Sequence, residues 1–93
     1  MSLKDSHQIL LYEYVPDILE RRGEHRDAHL RHLQEAKASG ELVAAGAFGD
    51  PPSGALLILR DDADAEGFVN GDPYFSAGLV RSWRAERCAV AVR

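Results

Sequence analysis

The stretch Gln8-Ile9-Leu10-Leu11-Tyr12-Glu13-Tyr14 contains neither glycine nor proline, is rich in Ile, Leu and Tyr, and is closed by Pro16. That composition predicts a first β-strand. Successive strand side chains point to opposite faces, so Leu10, Tyr12 and Tyr14 share one side while Ile9 and Leu11 share the other. Neither side is suited to water along its length, and the strand is expected to be covered twice over.

Downstream of this strand, Asp17 and Glu20 have capping-box spacing for a short turn that Gly23 interrupts. From Glu24 to Ser39 the pattern is helical, with Leu30, Leu33, Ala36 and Lys37 toward the core, Arg31, Gln34 and Glu35 outward, and Gly40 as the stop. Leu42 to Phe48 and Ala55 to Arg60 read as two strands of a hairpin, joined by the turn residues Asp50-Pro51-Pro52-Ser53-Gly54. Asp61 to Val69 is a second helix, with Asp61 or Asp62 as N-cap, Phe68 as core anchor, and Gly67 costing about 1 kcal/mol relative to Ala. Asn70-Gly71 ends it, and Pro73 forces Asp72 out of the α region. Val80 to Val92 holds a last strand, in which Cys88, Val90 and Val92 alternate with Arg87, Ala89 and Ala91.

The order is βαββαβ. It predicts an α+β fold of ferredoxin-like topology, an antiparallel sheet with both helices on one face. At 93 residues the chain has room for one domain, spanning residues 1–93. Two short helices cover only one side of four strands, yet strands one, three and four carry apolar residues on both sides. A second copy packed sheet to sheet is the simplest cover, so a homodimer is expected.

Eleven basic and fifteen acidic residues leave a net charge of −4, with no cluster of Lys or Arg to track phosphates. The strand Ala55-Leu56-Leu57-Ile58-Leu59 also lacks base-stacking aromatics, so neither nucleic acid nor an anionic membrane is an expected partner. That same run is too short to cross a bilayer, and Met1 to Leu11 lacks the apolar stretch of a secretory leader, which predicts a cytoplasmic protein. Cys88 is the single cysteine and forms no disulfide or metal centre by itself. No glycine-rich loop opens a helix and no Gly-x-Ser-x-Gly elbow surrounds Ser76, so neither a nucleotide cofactor nor a serine triad is signalled.

His25, His29 and His32 fall at i, i+4, i+7 on the long helix. Zinc would need a third ligand at the right angle, and the sequence names none, so no metal is expected. His25 and His32 read as solvent-facing residues at the edge of the buried stripe, and His7 as an exposed residue ahead of the first strand. His29 differs, because βαββαβ topology brings the start of the first helix toward the loop that follows the second, where Asp72 lies. A carboxylate bonded to one imidazole nitrogen fixes the tautomer and leaves the other nitrogen to move a proton, an effect worth ~10² to 10⁴ in rate. The same residues also suit blander roles: a half-buried histidine bonded to a carbonyl, and an Asp-Pro turn. Tyr74 and Phe75 suit packing, Trp83 suits a core or dimer anchor, and Tyr74 with Arg26 are the expected substrate contacts beside the pair.

The string Arg26-x-x-His29-Leu30, then Gly40, Leu42, Gly46 and Gly54, then Phe68, Asp72-Pro73-Tyr74, Ala77-Gly78-Leu79 and Trp83 resembles the YciI-like (YCII-related) proteins over nearly the whole chain. The resemblance implies a dimeric α+β barrel of ferredoxin-like units and a cleft with a His–Asp pair. The family's histidine falls on His29, its aspartate on Asp72, and its arginine, an anchor for an anion, on Arg26. Family members include a dehydrochlorinase of a chlorinated hydroxyquinol. Gly67 and the Asp50-Pro51-Pro52 turn depart from the family pattern near the cleft, and His25 and His32 lie outside the motif. The expectation is an acid–base enzyme of lyase or hydrolase type acting on a small polar or anionic molecule. The alternative is a non-catalytic module for small-anion binding or dimerisation.

Overall fold

The elements follow one another as β1 (Ser6–Tyr14), α1 (Ile18–Arg21), a 3-10 turn (Gly23–His25), α2 (Arg26–Ser39), β2 (Leu42–Phe48), β3 (Gly54–Arg60), α3 (Ala65–Asn70), α4 (Pro73–Ser76) and β4 (Val80–Ala89). The structure is a computed structural model, described for residues 6–92; the part of the leader expectation that falls on residues 1–5 lies outside them. The four strands form one sheet in the order β2-β3-β1-β4, with every neighbouring pair antiparallel. This is the α+β, ferredoxin-like arrangement, with β1 in the interior of the sheet.

The register separates the two faces. Leu10 sits opposite Leu57 and Tyr12 opposite Ala55, placing Leu10, Tyr12, Tyr14, Ala55, Leu57 and Leu59 on one side. Ile18, Ala36, Phe68, Val69, Tyr74 and Leu79 from the helical side and its loops complete that core. On the opposite side Ile9 pairs with Ile58, Leu11 with Leu56, and Gly46 with Leu56 from the other flank. Nothing among the described residues covers this second side: Leu56 is 39% exposed and Phe48 47%.

Several expectations need correction. The outer side of β4 is not apolar, because Ile9 faces Glu86, Leu11 faces Arg84 and Glu13 faces Ser82. The uncovered apolar patch therefore lies on β1, β3 and β2. The strand also stops at Ala89, leaving Val92 88% exposed. His7 lies inside β1, half-buried between Arg60 and Cys88. The second helix starts at Ala65, capped by Asp64 and not by Asp61 or Asp62, since the Asp64 carboxylate accepts from the Gly67 backbone N–H. A Cβ on Gly67 would lie 2.5 Å from that carboxylate, so the glycine serves the cap.

The long helix begins at Arg26, after the 3-10 turn, and ends at Gly40 in the left-handed conformation (φ 85°) that glycine adopts without strain. Its buried stripe is His29 and Ala36 with half-buried Leu33, while Leu30 is 36% exposed and lies off the core. Among the described residues no helix is long and apolar enough to cross a membrane.

Candidate functional site

Pro73 holds Asp72 in an extended conformation (φ −82°, ψ 119°), which makes it the N-cap of α4: its Oδ1 accepts from the Tyr74 backbone N–H at 2.9 Å. The cap points its carboxylate inward, where it is wholly buried. A buried carboxylate is costly unless its lone pairs are met, and here two side chains complete the set. The Tyr12 hydroxyl donates to Oδ2 at 2.8 Å, and His29 Nδ1 lies 2.7 Å from Oδ1. Residues 12, 29 and 72 come from β1, α2 and the α3–α4 connection, so three separate elements meet at one carboxylate.

With Nδ1 bonded to Asp72, the His29 tautomer with the proton on Nδ1 is favoured and Nε2 is the nitrogen free for other chemistry. The Tyr74 ring lies flat against the imidazole, centroids 3.7 Å apart and planes 3° from parallel. Tyr14 packs edge-on to both Tyr12 and Tyr74, at 6.3 and 6.1 Å between centroids. Burial, reinforced by the Asp72 charge, holds the Tyr12 hydroxyl far above its ordinary range, so it remains a donor. Burial likewise pushes Tyr14 up to about 12, against the opposing pull of Arg22 and Arg26.

His29 and the three tyrosines border a cavity of about 190 Å³. Small side chains of the sheet, Ala45, Ala47 and Ala55, leave the space open beneath α2, and Arg22 and Arg26 stand at its rim. The Tyr74 hydroxyl is sealed from solvent and has no hydrogen-bond partner among the described residues. A buried hydroxyl left in that state costs about 1–3 kcal/mol.

The structure thus brings together all four residues singled out in the sequence, His29, Asp72, Arg26 and Tyr74. It separates the histidine stripe. His25 lies 3.5 Å from Glu24, His29 is bonded to Asp72, and His32 Nε2 bonds the Phe68 carbonyl at 2.9 Å. His32 therefore does not face solvent: it is half-buried and fastens α2 to α3. Among the described residues no three His, Cys, Asp or Glu side chains are grouped to hold a metal ion. The Ser76 hydroxyl donates to the Pro73 carbonyl, away from the cavity lining.

Sequence reasoning missed Tyr12, Tyr14 and Arg22. The two tyrosines were visible as inward residues of β1, but the role of Tyr12 beyond packing depends on Asp72, sixty residues away, and that of Tyr14 on the cavity that α2 and the sheet form around it. Arg22 had a weaker signal, lying four residues before Arg26, in a segment whose turn geometry sequence does not specify.

With the geometry in place, the chain can be set beside known proteins. It matches the fold of 5-chloro-2-hydroxyhydroquinone dehydrochlorinase (TftG) from Burkholderia phenoliruptrix, solved in complex with 2,5-dihydroxybenzoquinone. The TM-score is 0.72 and the identity 26%, over 88% of this chain and 92% of that one. A protein of unknown function from Nitrosomonas europaea shares the fold alone, with TM-score 0.55 and 19% identity over 97% of this chain and 94% of that one. No curated protein sequence matches the chain. The model of the YCII-related domain matches residues 7–87, and the chain therefore belongs to the YCII-related domain family.

Proposed function

We propose that this protein is a small-molecule enzyme of lyase type, in which His29 moves a proton, Asp72 orients and balances it, and Arg26 and Tyr74 hold the substrate. The carrying observation is the 2.7 Å bond between His29 Nδ1 and a carboxylate that is itself fully buried, beside an open cavity. Such an arrangement presents Nε2 as a base and stabilises the imidazolium formed when it accepts a proton. Lyase chemistry is favoured over hydrolysis through a covalent intermediate, because the described cavity lining includes no Ser, Thr or Cys. In an elimination, Nε2 takes a proton from a hydroxyl group or an sp3 carbon of the substrate or its keto tautomer, the electron pair left behind shifts to form a new double bond, and the leaving group departs as an anion. The structural likeness to a dehydrochlorinase supports that reaction type.

Two copies packed through the uncovered sides of their sheets complete the proposal, because Ile9, Leu11, Leu56, Ile58 and Phe48 form one apolar surface that the described residues leave open.

The enzyme reading is tested by chloride release from 5-chloro-2-hydroxyhydroquinone, alongside binding of 2,5-dihydroxybenzoquinone. Wild type is expected to release chloride, and His29→Ala to lose that activity while still binding the quinone. Quinone binding without chloride release by the wild type would instead identify a non-catalytic binding module for this compound class.

A further inference from the structure

The rim of the cavity carries more cationic and donor capacity than moving one proton requires. Among the described residues, Arg21, Arg60, Arg81, Arg84 and Arg87 each have a carboxylate partner. Arg22, Arg26 and Arg31 have none among them, and two of these three border the cavity. In a chain of net charge −4, carboxylates are in excess, so unpaired guanidiniums at one hollow reflect a local arrangement and not a shortage of partners.

Tyr14 stands on the same wall, 8% exposed, close enough for both arginines to act on its hydroxyl. Burial outweighs them, so the hydroxyl stays protonated at neutral pH and donates. Tyr12 commits its hydroxyl to Asp72, whereas the Tyr14 hydroxyl is bonded to no described residue and the Tyr74 hydroxyl is buried without a partner. The Tyr74 hydroxyl is sealed away from the cavity, so one phenol donor, Tyr14, and two guanidiniums, none with an acceptor among the described residues, border one space. An ionised oxygen satisfies such a set; an amine or a cation does not.

We infer that Tyr14 and Arg22 form an oxyanion subsite of this cavity, which selects small planar molecules carrying an ionised oxygen on a ring. The inference rests on the reading of this cavity as the substrate site. Its volume of about 190 Å³ suits one substituted six-membered ring, given that a cavity of about 150 Å³ accepts benzene. Ala45, Ala47, Ala55 and Leu57 line it with apolar side chains, the surface a ring face needs. A phosphate ester fits less well, because no glycine-rich turn opening a helix offers its backbone N–H groups here. Arg22 is a specificity residue in this scheme: it pairs with the anionic oxygen, while Tyr14 donates the hydrogen bond that fixes that oxygen's position.

The test is equilibrium binding without turnover. Wild type, Tyr14→Phe and Arg22→Gln are titrated by calorimetry with 4-nitrophenol, benzoate and nitrobenzene, and bound nitrophenol is also read by its visible phenolate absorbance. The wild type is expected to hold nitrophenol as the yellow phenolate at a pH where the free compound is mostly phenol. Each variant is expected to bind the anions about tenfold or more weakly, the loss of one charge-assisted hydrogen bond, with nitrobenzene binding unchanged. Unchanged nitrobenzene binding also shows that the buried Tyr14→Phe variant is folded, and Arg22→Gln at the rim gives an independent reading. Dependence seen with benzoate and not nitrophenol supports the subsite and assigns it to carboxylates. Variants that bind both anions like the wild type, or a wild type that prefers nitrobenzene, overturn the subsite and leave the His29 proposal standing. If the wild type binds none of the three probes, the cavity is not a site for this ligand class, and the subsite falls whatever the His29 variants do.

Discussion

The Tyr74 ring is stacked on His29 with its plane 3° from parallel and its hydroxyl sealed from solvent and without a hydrogen-bond partner among the described residues. The stack and the hydroxyl have separable consequences. Tyr74→Phe keeps the ring and removes the unpartnered oxygen, so unfolding in urea should show stability unchanged or raised by about 1 kcal/mol. Tyr74→Ala removes a large buried ring and with it the support of the imidazole, and should cost about 3–5 kcal/mol. If Phe proved as destabilising as Ala, the hydroxyl would have a protein partner in solution.

Much of this site was legible before any coordinates. Pro73 restricts Asp72, Asn70-Gly71 ends the helix before it, and βαββαβ topology brings His29 toward the loop that carries Asp72, so two of the three parties to the hydrogen-bond cluster were within reach. Helical spacing, however, puts Leu30 on the core side, where α2 buries His29 instead. Tyr12 was not, because its bond to Asp72 links strand and loop across sixty positions, and no periodicity reports which inward tyrosine meets a polar partner. The strand faces were legible where alternation is strict, as in β1 and β3, and misread in β4, where Trp83 and Cys88 fall on opposite faces among charged residues. His32 defeated the same kind of rule: helical spacing placed it at the edge of the stripe, but the Phe68 carbonyl that draws it inward belongs to another element.

Asp72 holds three donors at once, so removing it and neutralising it should differ. Asp72→Ala strands the Tyr12 hydroxyl, His29 Nδ1 and the Tyr74 N–H in a buried space and should cost ~3 kcal/mol or more in chemical denaturation. Asp72→Asn preserves the shape: its carbonyl oxygen accepts from His29 and Tyr74, and its amide donates to the Tyr12 oxygen. Stability should then fall by only about 1 kcal/mol, while loss of the negative charge opposite the imidazolium should lower turnover ~10²-fold. Equal stability losses in the two variants would show that the hydrogen-bond pattern is not what the carboxylate supplies.

The buried tyrosines give the fold an alkaline limit. Tyr14 ionises near the ordinary tyrosine value of 10.0 in the unfolded chain but only at about 12 when folded, and Tyr12 is shifted in the same direction. Below pH 10 both states keep these protons and stability does not depend on them. Above it the unfolded state binds fewer protons, so the free energy of unfolding falls as pH rises toward 12. Denaturation midpoints measured from pH 9 to 12 should decline from about pH 10 upward, and Tyr14→Phe should flatten that decline. A variant whose midpoints decline as steeply as the wild type's would place the responsible group elsewhere.

The uncovered side of the sheet decides the assembly. Leu56 lies between Leu11 and Gly46 near the centre of the apolar patch, yet at 39% exposure its end reaches solvent in the single chain. A lysine at that position can extend its ammonium into water in a monomer, at a cost within about 1 kcal/mol, but would bury that charge between two sheets in a dimer. Sedimentation at micromolar concentration should therefore report twice 10.2 kDa for the wild type and 10.2 kDa for Leu56→Lys, with the same far-ultraviolet circular dichroism. A wild type that sediments at 10.2 kDa would show that this face stays open to water and that the packing of two copies through it is wrong. A Leu56→Lys protein that remains dimeric would instead move the interface to another surface, because an ammonium between closely packed leucine and isoleucine side chains has no partner to offset its desolvation.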